Sequence, residues 1–307
     1  MDKSVLFIIN PISGKKRIRT EMFGILSELE NAGFVPTLYF TKYKGHATEI
    51  ARSADPDKYS MVICSGGDGT LNETITGLIQ SGHGIPFGYI PSGSTCDFAN
   101  TLSIPKNMLT ATQNITHGQP HKIDIGKFCD SYFSYVASFG LFTKASYSTD
   151  QMAKNLLGKA AYVLEGIKDL GAVHAHRMHI ELDDGKEIDD VFIFGAVANS
   201  TSIGGIISID PSEVALDDGE FEYLFVNRPE SISDILLTID ALSSHNYQDK
   251  HLYFGSTKSL RISSEKELEW SLDGECAKPT SKVFEINNLH EAVSLILPDK
   301  KSPGLLS

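Results

Sequence analysis

Four consecutive residues, Gly66, Gly67, Asp68 and Gly69, carry the densest chemical signal in the chain. They come just after the apolar run YSMVIC (59–64) and just before TLNETITGLIQ (70–80), which sets Leu71, Ile75, Leu78 and Ile79 on one helical face. Glycine allows positive φ and close approach of another group. A helix start offers unpaired N–H groups and the positive end of the macrodipole. A strand, a glycine turn and a helix start together make an anion site, and phosphate is the anion that suits it. Asp68 would repel phosphate unless a cation stands between them, which points to Mg²⁺ bridging Asp68 and a nucleotide. Two familiar nucleotide motifs do not fit. Asn72 stands where GxGxxG needs its third glycine, and INPISGKK (9–16) has Ile9 where a P-loop needs its first. A tight turn without a ligand is the plain alternative, and this stretch alone leaves it open.

Three further turns have the same character: NPISGK (10–15), TKYKGHA (41–47) and PSGSTCDFAN (91–100). Together the four turns supply backbone N–H groups, the hydroxyls of Ser13, Thr41, Thr70, Ser94 and Thr95, and lysines. Basic residues gather in GKKRIR (14–19), with Lys42 and Lys44 in a second loop. Such a cluster fits a triphosphate, or simply a solvated helix start. Far downstream, SLDGECAKP (271–279) places Asp273 and Glu275 two apart around a glycine. Carboxylates two apart in extended chain point the same way and can hold a metal or take a proton. An acidic hairpin turn is the competing reading.

The elements that must position these turns follow from the pattern. Strands are predicted at 4–9, 35–40, 60–64 and 86–91, and helices at 17–32, 45–54, 69–81 and 95–117, the last broken at Pro105. Strand and helix alternating at short spacing give a parallel sheet covered on both faces, with ligands beyond the carboxyl ends of its strands. After about residue 122 short strands rich in β-branched and aromatic residues take over, DDGK (183–186) signals a hairpin, and only 144–171 and 231–243 read as helical. The expectation is an α/β domain at 1–122, with about 290–307 returning to it, and a mostly antiparallel β-sandwich at 123–289.

A chain of 307 residues with 41% hydrophobic content is long enough for two such domains. Its net charge of −12 argues against general adhesion to nucleic acid or anionic lipid. Cys64, Cys96, Cys129 and Cys276 are far apart and form neither a disulfide nor a zinc pattern, as in a cytoplasmic protein. The opening MDKSVLFIIN is too short in its apolar run for a signal peptide and reads as a strand, and no run approaches a membrane span.

The ordered set NPISG, TKYKGHA, GGDGTLNE, PSGSTCDFA and LDGE resembles the soluble diacylglycerol kinase catalytic-domain family, which includes bacterial lipid kinases and is related to sphingosine and ceramide kinases. The likeness spans nearly the whole chain. GGDGT alone is shared with NAD kinases and phosphofructokinase-like folds, but the NPxSG opening and the short spacing to the GST turn are not those of NAD kinases. The resemblance implies an NAD-kinase/phosphofructokinase-like parallel sheet followed by a β-sandwich. It also implies ATP-dependent phosphorylation of a lipid hydroxyl with Mg²⁺, most simply diacylglycerol to phosphatidic acid, in a cleft between the domains. Asn10, Ser13, Gly14 and Lys15 would border the ATP phosphates and Thr41 would contact nucleotide. Gly66, Gly67, Asp68, Gly69, Thr70, Asn72 and Glu73 would hold phosphates and metal, joined by Ser94 and Asp97 in the fourth turn. Ser94 stands where the family usually has threonine, and Cys96 where it has asparagine. Glu275 would be the general base and Asp273 its metal-side partner. VALDDGEF (214–221) matches a stretch that holds a structural Mg²⁺ in bacterial members, with the Asp218 carboxylate and the carbonyls of Ala215 and Glu220 as ligands.

A lipid substrate requires a membrane surface and an apolar slot. Phe133, Tyr135, Phe139 and Phe142 are candidates for the slot, against ordinary core packing. The segment 140–167 mixes Phe142, Tyr147, Met152, Leu156 and Leu157 with Lys144, Lys154 and Lys159, as an interfacial helix would. The implied setting is cytoplasmic and peripheral at the inner face of the membrane, with a homodimer left open. Two other functions stand beside it: a kinase for a soluble hydroxyl compound such as NAD, and a non-catalytic lipid or nucleotide sensor on the same scaffold.

Overall fold

The computed structural model describes residues 3–16, 18–94, 96–141, 175–203 and 207–298. The chain divides into two compact units, Met1–Ile125 with His290–Ser307, and Gly126–Leu289.

The first unit alternates as its sequence pattern requires: β1 (Lys3–Ile9), α1 (Ile18–Asn31), β2 (Phe34–Phe40), α2 (His46–Arg52), β3 (Met61–Gly66), α3 (Asp68–Ser81), β4 (Phe87–Pro91), α4 (Asp97–Thr101) and α5 (Met108–His117). The strands pair in parallel in the order β2-β1-β3-β4. Every residue of β3 and β4 is buried, as expected of strands covered on both faces. β2 buries only Phe34, because it is the edge of this sheet. Helix ends follow local chemistry. Gly82 closes α3 at φ 67°, its N–H on the Ile79 carbonyl, and the Asn107 side chain caps α5 by accepting from the Thr110 N–H. The break expected at Pro105 falls between α4 and α5.

The second unit is built from β5 (Gln119–Phe128), which enters from the first, β6 (Ser131–Phe133), β7 (Val136–Gly140), β8 (His176–Leu182), β9 (Glu187–Ala198), β10 (Ser202–Ile203), β11 (Ile207–Ser208), β12 (Phe221–Asn227), α6 (Ile232–Ser243), β13 (Leu252–Thr257), β14 (Ser259–Ser264), β15 (Trp270–Leu272), β16 (Glu275–Ala277) and β17 (Val283–Leu297). β17 continues back into the first unit, where Leu295 pairs in parallel with Phe87 of β4. The ladders within the second unit are antiparallel. β9 pairs with β8 along its first half and with both β7 and β12 along its second half, so one strand serves two leaves. Strands such as β8 and β14 alternate buried and solvent-facing residues, and their inward side chains meet those of β7, β12 and β15 in one core. The DDGK hairpin is present, with Gly185 at φ 84° and the Leu182 N–H on the Lys186 carbonyl.

Of the residues considered for an acyl slot, Phe133, Tyr135 and Phe139 are buried core. Phe133 packs on Phe221, and Phe139 packs on Trp270 and Phe225. Phe142, the interfacial segment and the helix expected at 144–171 lie outside the described residues, as do Thr95 and the Lys15 side chain.

Candidate active site

The order β2-β1-β3-β4 puts a topological switch point between β1 and β3, where chain connections leave in opposite directions, the place where open parallel sheets bind their ligands. The turn after β3 is tighter than the sequence suggests: Gly66 ends the strand, Asp68 begins α3, and Gly67 alone joins them. α3 starts without a side-chain cap, so its first-turn N–H groups suit an anion.

The glycines of these turns serve one another. Gly14 sits at φ 51°, and a Cβ there would lie 1.7 Å from the Ser92 carbonyl oxygen. A Cβ on Gly93 would lie 2.6 Å from the Gly67 Cα. The turns after β1, β3 and β4 therefore press backbone on backbone, which side chains at these positions would prevent. Side chains then stitch the convergence. Asn10 Nδ2 donates to Thr70 Oγ1 at 2.9 Å, and Asn10 Oδ1 accepts from the Ile12 N–H at 3.1 Å. The Ser65 and Ser92 hydroxyls, at the ends of β3 and β4, are buried and find no hydrogen-bond partner among the described residues. Buried unsatisfied hydroxyls at these strand ends are consistent with a polar ligand. Ser13 and Gly14 lie on the first of these turns, half-buried, and Ser94 lies exposed on the third.

Two motif carboxylates cap helices. Asp68 accepts from the N–H groups of Asp97 and Phe98 at the start of α4, at 3.3 and 3.4 Å. These contacts are longer than the usual 2.7–3.2 Å range. Glu73 accepts from the N–H groups of Gly45 and Ala47 at 2.7 and 3.2 Å, capping α2. Gly45 stands at φ 90°, and Thr41, earlier in the same turn, is tied by its N–H to the Ile9 carbonyl. Glu73 thus joins the second turn to α3, and both of its oxygens face protein amides. Asn72, its neighbour on α3, is half-buried, and Gly69 lies in the first turn of the helix. The Asp97 carboxyl is pushed above its ordinary value by burial, with Asn100 and Lys106 acting the other way. Cys96 is buried at φ 52°, its thiol pushed up by burial and paired with the Tyr89 hydroxyl. Its sulfur lies 3.1 Å from where a Gly93 Cβ would be, so the thiol fills the space under the third turn.

In the second unit LDGE is a two-residue hairpin between β15 and β16. Leu272 pairs with Glu275, and the central Asp273 and Gly274 have φ 49° and 81°, the signature of a type I′ turn. Glu275 is exposed. Asp273 is 5% exposed, and its carboxylate accepts from the N–H groups of Ser134 at 2.6 Å, Tyr135 at 3.0 Å and Val136 at 3.1 Å.

The stretch expected to hold a structural Mg²⁺ is a turn. Asp218 Oδ1 accepts from the Glu220 N–H at 2.9 Å, and Gly219 stands at φ 84°. Asp218 is exposed, and Ala215 and Glu220 are half-buried. Glu222, on β12, is 2% exposed, and its Oε2 has no hydrogen-bond partner among the described residues. Burial pushes its carboxyl up to about 8, and Asp218, Glu213 and Glu220 add to the effect. A buried carboxyl under that much negative charge fits a nearby divalent cation. Among the described residues no three His, Cys, Asp or Glu side chains gather as a metal cluster, so an ion here would rest on the Asp218 carboxylate and backbone carbonyls.

Glu222 and Asp124 escape the sequence reading. Asp124 is fully buried on β5 and accepts from the Glu291 N–H at 2.7 Å, with His290 Nδ1 at 3.0 Å. The signal for both is a lone carboxylate inside an apolar strand, FEYLF and KIDIG, where an unpaired charge would be costly.

A parallel sheet with glycine turns packed at its switch point is followed by mostly antiparallel strands. Residues 4–128 match the diacylglycerol kinase catalytic domain family. The chain is 32% identical over 277 residues to the diacylglycerol kinase of Staphylococcus aureus (strain MRSA252), covering 90% of this chain and 87% of that protein. It is 29% identical over 304 residues to the diacylglycerol kinase of Bacillus subtilis (strain 168), covering 99% of each. Two solved structures of diacylglycerol-kinase-like proteins from Bacillus anthracis str. Sterne superpose with TM-scores of 0.79 and 0.77, at 28% and 26% identity, over 99% and 98% of this chain and 96% and 99% of those chains. The chain belongs to the diacylglycerol kinase family and is a lipid kinase. No helix among the described residues is long and apolar enough to cross a membrane.

Proposed function

We propose that this protein transfers the γ-phosphoryl group of ATP to the free hydroxyl of diacylglycerol, forming phosphatidic acid. The observation that carries the proposal is the convergence of three turns, at Asn10–Gly14, Gly67–Asp68 and Ser92–Ser94, beyond the parallel strands of a lipid kinase. Backbone N–H groups at the start of α3, with Asn10, Ser13 and Lys15 on the first turn, would hold the phosphates, and Thr41 would contact the nucleotide. Mg²⁺, when bound, would neutralise charge on the transferring phosphoryl group, and Asp68 and Asp97 would hold it. Glu275 would take the proton of the attacking hydroxyl. A second Mg²⁺ at Asp218 and the carbonyls of Ala215 and Glu220 would have a structural role.

The acceptor lives in a bilayer, so the enzyme would work peripherally at the cytoplasmic membrane face, through reversible contacts. The test is phosphoryl transfer from labelled ATP to vesicles carrying diacylglycerol, sphingoid base, phosphatidylglycerol or an isoprenoid alcohol, with soluble NAD as a further acceptor. Glu275→Gln keeps shape and removes the base, so kcat on the best lipid should fall about a hundredfold or more. Turnover of NAD without lipid, or equal rates for Glu275→Gln and wild type, would count against the proposal.

A further inference from the structure

We infer that Asp273 is a positioning residue: its carboxylate anchors the hairpin that presents Glu275 and does not ligate the nucleotide's metal. The inference rests on Glu275 being the base and deepens that assignment.

Three successive backbone N–H groups, of Ser134, Tyr135 and Val136, converge on the two Asp273 oxygens at 2.6 to 3.1 Å. Successive amides of an extended strand point to alternate sides, so the chain just before β7 is bent around the carboxylate as an anion nest. The contact is reciprocal, because the Asp273 N–H donates to the Val136 carbonyl at 2.9 Å. β15 pairs with β7 immediately beyond, Leu272 opposite Ala137. Two residues after Asp273 the chain emerges, and Glu275 is exposed at the start of β16.

Each feature selects aspartate. The first position of a type I′ turn needs φ above zero, which Asp and Asn tolerate and most side chains do not. A short carboxylate reaches the amides from that position, and one more methylene would carry it past them. A carboxylate that accepts three amides has most of its roughly four acceptor sites turned to the protein. The hairpin is therefore divided in labour: Asp273 fixes the turn, and the turn fixes where the Glu275 carboxylate can reach.

The test compares Asp273→Asn, Asp273→Ala and Glu275→Gln with the wild type. Asp273→Asn keeps the turn and part of the nest, and Asp273→Ala loses both, so the first remains informative if the second fails to fold. Asp273→Asn should lower kcat about tenfold and Asp273→Ala further. KM for ATP and the Mg²⁺ concentration for half-maximal rate should stay within about twofold. Amide hydrogen exchange at Ser134 to Val136 should speed up in both, a readout independent of activity. Recovery of wild-type kcat by excess Mg²⁺, with a half-maximal concentration shifted tenfold or more, would make Asp273 a metal ligand and overturn the inference. Unchanged exchange at 134–136 would overturn it too. Full activity in Glu275→Gln would instead remove the base assignment, whatever the Asp273 variants do.

Discussion

Glu222 sets a pH dependence that can be worked out in advance. Its carboxyl is buried among like charges and held near 8, above an ordinary 4.5. An acid whose pKa is higher in the folded chain binds its proton more tightly when folded. Its contribution to stability is complete below about 4.5, falls as pH rises and levels off above about 8. At about 1.36 kcal/mol per pH decade the loss across that window is of order 5 kcal/mol at most, and water reaching the opened site will reduce it. Glu222→Gln keeps the shape and removes the titration. Urea unfolding at intervals from pH 5 to 9, in chelator, should show wild-type stability falling with pH relative to the variant. All other titrating groups are common to the two proteins, so the difference belongs to Glu222. A cation at the Asp218 turn would favour the ionised form, so stabilisation by added Mg²⁺ should grow with pH in wild type and be smaller in Glu222→Gln. Parallel stability curves for the two proteins across the whole window would refute the reasoning.

Two other perturbations separate parts of the machinery. Glu73→Ala removes two charge-assisted bonds from the start of α2 and should cost about 1–3 kcal/mol in unfolding free energy, raising KM for ATP more than it lowers kcat, whereas an unchanged KM would detach the second turn from nucleotide binding. Replacing Lys154 and Lys159 with glutamate should weaken sedimentation with anionic vesicles and raise KM for vesicle lipid, while activity on detergent-dispersed short-chain lipid stays near wild type; undiminished vesicle binding would place the lipid-facing surface elsewhere.

Much of the fold was legible because each element states itself locally. Short apolar runs such as MVIC and FGYI, bounded by turn residues, read as strands covered on both faces, and DDGK reads as a hairpin; Asp273-Gly274 is also a hairpin turn, the competing reading to an extended stretch. What could not be read depends on partners distant in sequence. The amides that Glu73 caps lie 26 and 28 residues upstream, and those that hold Asp273 lie 137 to 139 residues away. A motif shows a carboxylate and its spacing but not whether it faces a metal or a backbone. The glycines have a second role that the sequence did not show: Gly67 and Gly93 make room for each other. The double use of β9 was invisible too, since an apolar run such as VFIFGAVA looks the same whether it serves one leaf or two.

The parallel pairing of Leu295 with Phe87 has a bearing on how the protein is made. The outer partner of β4 is synthesised only after the whole second unit, so the first unit cannot be completed when its own four strands have left the ribosome. At about 5–20 residues per second, the second unit takes on the order of ten seconds or more to follow. Throughout that interval β4 keeps an open edge, the kind of strand that recruits a wrong neighbour. A nascent chain of this design would gain from a chaperone on its amino-terminal half, and a premature stop before residue 290 would damage the half of the molecule furthest from the lesion.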